Sequence, residues 1–168
     1  MENRVKIIYI DPDKCLACRS CELACAVTHS KSKDLVTAIS EEPRPANRVS
    51  VIGVDEITAP LQCRHCEDAP CVAICPSGAL RKEENGIIFL DAQLCIGCNF
   101  CVIVCPFGVL KTNREGKAVV KCDLCRERLE KGEEPACVSA CPTKALKFVE
   151  PEKISKEKKR KFLTEYKK

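Results

Sequence analysis

Cysteine is the residue whose number and spacing dominate this sequence. The chain of 168 residues holds sixteen Cys, but no Trp and only five Phe and two Tyr. Cysteine at this density indicates either a disulfide framework or metal sites. Because few large apolar side chains are available for a core, the cysteines must also help to hold the fold together.

The cysteines form four motifs of four, which we number in chain order. Motifs 1 and 3 share the spacing C-x2-C-x2-C-x3-C, motif 2 has C-x2-C-x4-C-x3-C, and motif 4 has C-x2-C-x11-C-x3-C. This is an internal repeat carried by the cysteines rather than by general sequence similarity. The members are Cys15, Cys18, Cys21 and Cys25 in motif 1, Cys63, Cys66, Cys71 and Cys75 in motif 2, Cys95, Cys98, Cys101 and Cys105 in motif 3, and Cys122, Cys125, Cys137 and Cys141 in motif 4.

This spacing suits a [4Fe–4S] cluster, in which each of four iron atoms requires one thiolate. Three cysteines at x2 intervals can bind three irons of one cluster, whereas the fourth iron faces away and needs a ligand from elsewhere. In bacterial two-cluster ferredoxins the fourth cysteine of each run, usually followed by proline, ligates the other cluster. Cys75, Cys105 and Cys141 are each followed by Pro, whereas Cys25 is followed by Ala26.

Zinc and disulfides are the alternatives to iron. C-x2-C pairs are common zinc ligands, but zinc sites combine two separated pairs, often with His. Only His29 and His65 are available here. Motif 4 alone would suit zinc, but Cys141–Pro142 and the presence of the other motifs favour iron. A disulfide framework is the weakest of the three, because the segment from Met1 to Asp11 has neither an apolar signal-peptide core nor a twin arginine.

The same observations indicate a cytoplasmic protein without a direct membrane span, since no apolar run approaches the length needed to cross a bilayer. Co-export with a signal-bearing partner is the other possibility. The formal net charge of +4 counts cysteine as neutral. Four oxidised clusters with their thiolates would add roughly −8 and make the holoprotein mildly acidic, so charge does not indicate nucleic acid binding. The sequence contains no nucleophile–base pair or Gly-rich phosphate loop, which argues against catalysis by the chain itself.

Short elements must position these cysteines. β-branched or apolar runs bounded by turn residues predict strands. Helical turns are expected after the last cysteine of each motif, as in the segment from Cys75 to Leu80, and an exposed loop is expected at Glu41–Pro45. The predicted strands are Val5–Ile10, Arg48–Val54, Gly86–Leu90, Lys117–Val120 and Ala145–Val149.

Two features lie beside the cysteine pattern. His29, four residues after Cys25, and His65, inside motif 2, are either hydrogen-bond donors to a cluster or ordinary loop histidines. The basic segment 151–168 carries eight Lys or Arg against three Glu, a net charge of +5. It is either a docking helix or a frayed, solvated tail. In a helix its Phe162, Leu163 and Tyr166 share one face, with Ile154 two turns earlier.

The four motifs in this order and spacing resemble the four-cluster electron-transfer subunits of the dimethyl sulfoxide reductase superfamily, over Val5 to Val149. The stretches Ser20–Lys33 and Cys63–Cys71 are most similar to one branch of that family. This branch holds the iron–sulfur partner of carbon monoxide dehydrogenase and the ferredoxin-like subunits of formate dehydrogenase–hydrogenase complexes.

The resemblance implies an α+β fold in which two ferredoxin-like halves, each holding two clusters, form one compact unit of small β-hairpins and short helices. The four-cluster domain would span 1–150 and be followed by the tail 151–168. Half A would comprise about 1–30 and 117–150, half B about 61–112, and residues 31–60 would be a loop and strand insertion. The first and last predicted strands, Val5–Ile10 and Ala145–Val149, would pair.

The resemblance also implies that the fourth cysteines are exchanged between motifs, and we number the resulting sites 1 to 4. Every ligand position of the family is Cys here. The implied ligands are Cys15, Cys18, Cys21 and Cys141 at site 1, Cys122, Cys125, Cys137 and Cys25 at site 2, Cys63, Cys66, Cys71 and Cys105 at site 3, and Cys95, Cys98, Cys101 and Cys75 at site 4.

The implied function is non-catalytic electron transfer through four [4Fe–4S] clusters. The chain would connect a catalytic oxidoreductase subunit (carbon monoxide dehydrogenase, formate dehydrogenase or hydrogenase) to its redox partner, which includes the possibility of a second ferredoxin-like subunit. Self-assembly through the tail is a further possibility. A freely diffusing polyferredoxin is the first alternative function, and a zinc-binding interaction module is the second.

Overall fold

The computed structural model describes residues 6–113 and 115–166, which form short strands and helices in an α+β arrangement, as predicted. The strands are β1 (Ile7–Ile10), β2 (Val49–Val54), β3 (Ile57–Gln62), β4 (Leu80–Lys82), β5 (Ile88–Leu90), β6 (Lys111–Thr112), β7 (Val119–Val120) and β8 (Leu146–Val149). The helices are α1 (Ser20–Thr28), α2 (Leu35–Ile39), α3 (Pro70–Ala73), α4 (Phe100–Val104), α5 (Arg126–Glu130), α6 (Ala136–Ser139) and α7 (Pro151–Glu165), with a 3-10 turn at Pro12–Lys14.

The strands form two-stranded antiparallel sheets rather than one large sheet. β2 pairs with β3, β4 with β5, and β6 with β7, each as a local hairpin. The first and last strands also pair, with Ile7 opposite Val149 and Ile10 opposite Leu146. This confirms the predicted pairing of the two ends of the cysteine-rich region over the described residues; Val5 lies outside them.

The short helices lie before the last cysteine of motifs 2, 3 and 4, so the expected helical turn from Cys75 to Leu80 is wrong. Proline disfavours the helical conformation in the residue that precedes it, and Cys105 accordingly has extended angles, φ −72° and ψ 114°. After Cys75 the chain makes a turn closed by Gly78 N–H to Cys75 O at 3.3 Å, and Leu80 already begins β4. In motif 1 no proline follows Cys25, and α1 continues to Thr28.

The core consists of cysteines and small aliphatic residues. Helix α1 packs against α6, and α3 packs against α4, so motif 1 meets motif 4 and motif 2 meets motif 3. Ile8, Val49, Ile88 and Leu146 are buried within the same cluster of side chains as the cysteines. In the part of the chain that the structure describes, no helix combines the length and apolar character required to cross a membrane.

Candidate metal centres

All sixteen cysteines lie in the described part of the chain, and each carries a free thiol, so no disulfide joins any of them. The thiols are therefore available as metal ligands. Several of them lie beside a cysteine of a different sequence motif.

Site 1 brings together cysteines that are far apart in the sequence. A single cavity is lined by Cys15, Cys18, Cys21 and Cys141. Cys141 follows α6, and the turn after it is attached to the start of motif 1 by the Thr143 hydroxyl, which donates to Lys14 O at 2.6 Å. The fourth cysteine of motif 4 thus faces the first three of motif 1.

Site 3 has the same construction. A second cavity is lined by Cys63, Cys66, Cys71 and Cys105. Burial raises the pKa of Cys71, and the neighbouring Cys63 and Cys105 add to that rise. The last cysteine of motif 3 therefore lies with the first three of motif 2.

Site 2 is the most enclosed of the four. Burial raises the pKa of Cys125 to about 11, with a further contribution from Cys25. Burial also raises the pKa values of Cys122 and Cys137, and Cys25 again acts in the same direction on both. Cys25 of motif 1 is thus a close neighbour of three cysteines of motif 4.

Site 4 completes the pattern. Burial raises the pKa of Cys101 to about 11, and Cys71, Cys75 and Cys95 add to the rise. Cys75, the last cysteine of motif 2, and Cys95 therefore both lie close to Cys101. Cys98 lies on the segment between Cys95 and Cys101.

Burial divides the sites into two interior and two peripheral ones. At site 2 all four cysteines are buried, and at site 3 Cys63 and Cys71 are buried. At site 1 only Cys21 is buried and Cys18 is exposed, and at site 4 only Cys101 is buried. Sites 1 and 4 are accessible from the surface, whereas site 2 is shielded from solvent on all its ligands.

Backbone N–H groups point at the sulfurs. Arg48 N lies 3.2 Å from Cys25 Sγ, Leu124 N lies 3.4 Å from Cys122 Sγ, and His65 N lies 3.5 Å from Cys63 Sγ. Such hydrogen bonds stabilise negative charge on thiolate ligands. At sites 1 and 3 four thiols line one cavity. These thiols, with N–H donors around the interior sites, fit a [4Fe–4S] cluster in the chemistry of the donors.

Left-handed backbone produces these tight loops. Residues with positive φ occur within or directly after the C-x2-C loop of every motif. A side chain rarely adopts this conformation, and Gly does so at least cost. The residues concerned are Ala17, Arg19, His65, Gly97, Asn99, Leu124 and Cys125.

A charged network surrounds Cys25. His29 Nε2 lies 3.1 Å from Asp123 Oδ1, and the Arg48 guanidinium donates to Asp123 Oδ2. His29 Nδ1 lies 3.7 Å from Cys25 Sγ and 2.7 Å from Cys25 O. Burial lowers the pKa of His29, but the hydrogen bonds to Asp123 and Cys25 outweigh it and raise the pKa to about 9.

His29, Asp123 and Cys125 also place one potential ligand atom each within 4.8 Å of one another. This trio does not make a separate zinc site, because His29 and Asp123 already bond each other and Cys125 belongs to site 2. It is part of the surroundings of site 2.

The second histidine has a different environment. His65 Nδ1 accepts the N–H of Ile88 at 2.9 Å. Burial, followed by the charge of Lys121, lowers the pKa of His65 to about 3, so the ring is neutral at physiological pH. The contact to Cys63 is made by the backbone of His65 and not by its ring.

Sequence reasoning did not identify Arg48, Lys121 or Asp123 as part of the sites. Lys121 and Asp123 flank Cys122. Charged residues directly beside a metal ligand could have indicated that they belong to its surroundings. Arg48 carries no such signal, because only the fold brings β2 to motif 1.

Comparison with known proteins identifies the kind of metal centre. Residues 54–151 match a family model described as a 4Fe-4S dicluster domain, and residues 12–28 match one described as a 4Fe-4S binding domain. An "Iron-sulfur protein" of Rhodospirillum rubrum is 46% identical over 158 residues, covering 86% of this chain and 82% of that protein. The "Electron transport protein HydN" of Escherichia coli is 38% identical over 173 residues (92% and 95%), and the "Thiosulfate reductase electron transfer subunit PhsB" of Salmonella typhi is 40% identical over 153 residues (82% and 72%).

Proposed function

The chain belongs to the 4Fe-4S dicluster domain family, and from that premise we propose that it is the electron-transfer subunit of an oxidoreductase that oxidises carbon monoxide, formate or hydrogen. It holds four [4Fe–4S] clusters on its sixteen cysteines. It transfers electrons between the catalytic subunit and a redox partner in the cytoplasm, and carries out no bond chemistry itself.

One observation carries the proposal: in each of two cavities, three free thiols of one motif lie beside the last cysteine of another motif. The choice among reductases and dehydrogenases has separate support. It rests on the likeness of Ser20–Lys33 and Cys63–Cys71 to the carbon monoxide and formate branch. The similarity to HydN, described only as an electron transport protein, is compatible with it.

We assign the ligands as sites 1 to 4, with the fourth cysteine of each motif exchanged. The cavities support the assignment at sites 1 and 3. At site 2 the assignment is supported by the effect of Cys25 on the pKa of Cys137 in motif 4. At site 4 it is supported by the effect of Cys75 on the pKa of Cys101. The packing of α1 on α6 and of α3 on α4 supports the division into halves A and B.

A [4Fe–4S] cluster supplies one-electron redox chemistry over a wide range of potentials, roughly −700 to +450 mV. The residues of this chain determine access and environment. Exposed Cys18 opens site 1 to a partner, and the half-buried Cys95 and Cys98 do so at site 4. The four buried thiols of site 2, together with buried Cys63 and Cys71 of site 3, limit the access of water to the centre of the path. Electrons would enter at one peripheral site and leave at the other.

Anaerobic purification of the tagged chain from its native host tests this function. We expect a stoichiometric catalytic partner, and reduction of the bound clusters when carbon monoxide, formate or hydrogen is supplied to the complex. Recovery of the chain alone, with clusters but without a partner, would favour a freely diffusing polyferredoxin. A colourless protein containing stoichiometric zinc would select the interaction module instead.

A further inference from the structure

Lys121 is a buried lysine whose ammonium group bonds only backbone oxygens in the described part of the chain. It directly precedes Cys122, and 3% of its surface is exposed. Its Nζ donates to Cys122 O at 2.6 Å and to Ile88 O. Both acceptors are neutral backbone carbonyls, and no carboxylate within residues 6–113 and 115–166 forms an ion pair with this ammonium group.

The two acceptors belong to different metal sites. Cys122 is a cysteine of site 2, whereas Ile88 lines the cavity of site 3. One ammonium group therefore bonds the backbone at both interior sites, at a ligand of site 2 and at a residue in the wall of site 3.

A buried cation without a carboxylate partner is unfavourable unless other negative charge compensates it. Other charged residues in the region are already paired, since Asp123 bonds His29 and Arg48. The negative charge available to Lys121 is that of the thiolate-bound clusters on either side. Reduction adds one electron to a site and makes it more negative, so a fixed positive charge stabilises the reduced state.

We propose that Lys121 is the shared counter-charge of sites 2 and 3 and raises the reduction potentials of both interior clusters. The inference rests on the ligand sets proposed above. Lys121 is a positioning residue in this role, because its ammonium group bonds backbone carbonyls beside the sites and, among the described residues, does not contact the cluster ligands' sulfur atoms. It would keep the two interior clusters reducible although most of their thiolates are buried.

The test is a redox titration of the holoprotein, followed by electron paramagnetic resonance, in the variants Lys121→Met and Lys121→Gln. Both remove the charge, and Gln retains an N–H donor for the carbonyls. We expect two of the four midpoint potentials to fall, each by at least a tenfold change in the one-electron equilibrium, or about 59 mV. The other two are expected to stay unchanged.

Two controls separate charge from structure. Lys82→Met also removes one lysine, but its Nζ is already paired with Glu67 at 2.9 Å, so we expect no comparable shift. Lys121→Arg keeps the charge and should retain potentials close to those of the unmodified protein. Equal shifts in all four potentials, or unchanged potentials in both neutral variants, would overturn the proposal.

Loss of clusters is also informative. If both neutral variants lose only two clusters while Lys121→Arg keeps four, the charge is required at the interior sites and the proposal holds. If all three variants lose all their clusters, Lys121 is a structural residue and the proposal fails. An unmodified holoprotein with fewer than four clusters would instead refute the proposed function, so the two failures are distinguishable.

Discussion

Asp123 is the residue on which the surroundings of Cys25 depend. Its carboxylate is shared by His29 and Arg48, and the Arg48 backbone N–H in turn points at Cys25 Sγ. The carboxylate therefore holds both His29 and the start of β2 next to Cys25, a proposed ligand of site 2. Charged hydrogen bonds of this kind are stronger than neutral ones.

Replacing Asp123 by Asn should therefore destabilise the protein, because two partly buried cations lose their common partner. We expect a loss of about 1–3 kcal/mol, measured as a lower midpoint of anaerobic chemical denaturation followed by cluster absorbance. Asp91→Asn is the matched control, since Asp91 forms a longer and more exposed ion pair with Arg81 at 3.9 Å. Equal effects of the two substitutions would mean that the network around Cys25 contributes nothing specific.

Cys141 tests the exchange of ligands between motifs. We predict that Cys141→Ser perturbs the same cluster signal as Cys15→Ser, because both residues belong to site 1. The clusters of sites 3 and 4 should be largely intact in both variants, as judged by low-temperature electron paramagnetic resonance of the reduced protein. If Cys141→Ser disturbed only the cluster affected by Cys125→Ser, each motif would bind its own cluster.

At the scale of the elements, a proline determines where each ligand helix ends. Pro follows the last cysteine in three motifs, and in these the helix stops before that cysteine. In motif 1 the helix continues through Cys25, and this longer helix α1 is the element that packs on α6.

The fold class and the pairing of the terminal strands could be predicted through the family resemblance, which the cysteine spacing carries. The sequence left the tail open between a helix and a frayed segment. The strands β3, β4 and β6 and the helices α2 and α5 were missed, because they are short and form only against their hairpin partners or neighbours. Pro60, which pairs opposite Val51 in β3, also argues against a strand by ordinary rules, although a two-stranded sheet leaves it an open edge.

The grouping of the cysteines could be predicted only through family resemblance. Spacing alone shows that a fourth ligand must come from elsewhere, but does not say from which motif. The roles of Lys121 and Arg48 depend on side chains that meet across elements, such as Lys121 and Ile88, 33 positions apart. No local pattern carries that information.

Gly97 shows how one loop depends on another element. Its φ is +70°, and a Cβ at this position would lie 2.9 Å from Lys117 O and 3.1 Å from Gly116 O, on the turn that leads to β7. Gly97→Ala should therefore cost about 1–2 kcal/mol for left-handed strain and more for the displaced backbone. We expect the cluster of site 4 to be lost at lower denaturant than in the unmodified protein.

Gly78→Ala provides the matched control for that prediction. Gly78 has a similar φ of +65°, but a Cβ there would meet nothing within 4 Å. Gly78→Ala should therefore show only the cost of the left-handed backbone conformation, and so a smaller loss of stability than Gly97→Ala. If the two alanine variants denatured at the same midpoint, the close approach of the motif 3 loop to Lys117 would not contribute to stability.

At the scale of the whole molecule, metal takes the place of a conventional core. The largest fully buried side chains include Ile88, Leu146, Gln62 and Val49, and no aromatic ring is among them. Metal binding that requires four thiolates per site is coupled to folding. The free energy of the folded state is therefore expected to depend mainly on the clusters.

Two measurements on the anaerobically prepared holoprotein follow from this. Iron and acid-labile sulfide should each amount to about sixteen per chain, since each of the four clusters contains four of both. Removal of iron by a chelator should abolish most of the tertiary structure, measured as loss of protection in amide hydrogen exchange. A fully reconstituted sample with only two clusters, or a folded apo-protein, would contradict this view of the molecule.

The C-terminal segment forms the helix α7, and most of it projects into solvent. Phe162, Leu163 and Tyr166 are 64%, 62% and 82% exposed, and the rings of Phe162 and Tyr166 lie 6.1 Å apart. Contacts with the rest of the chain occur nearer its start, where Lys158 Nζ lies 5.7 Å from the Tyr9 ring. The far end of α7 thus presents apolar side chains among many lysines, a combination suited to docking on an acidic protein surface.

We therefore predict that truncation after Glu150 leaves all four clusters in place but weakens assembly with a partner subunit or a second copy. The clusters should survive because none of the sixteen cysteines lies beyond residue 150. Assembly is measured by co-purification and light scattering at physiological salt, with Phe162→Ser/Tyr166→Ser as a matched variant that retains the basic charge. Loss of clusters would show that α7 belongs to the fold, and unchanged assembly in both variants would mean that the exposed aromatic face is not an interface. Weakening in the truncation alone would assign docking to the lysines rather than to the aromatic side chains.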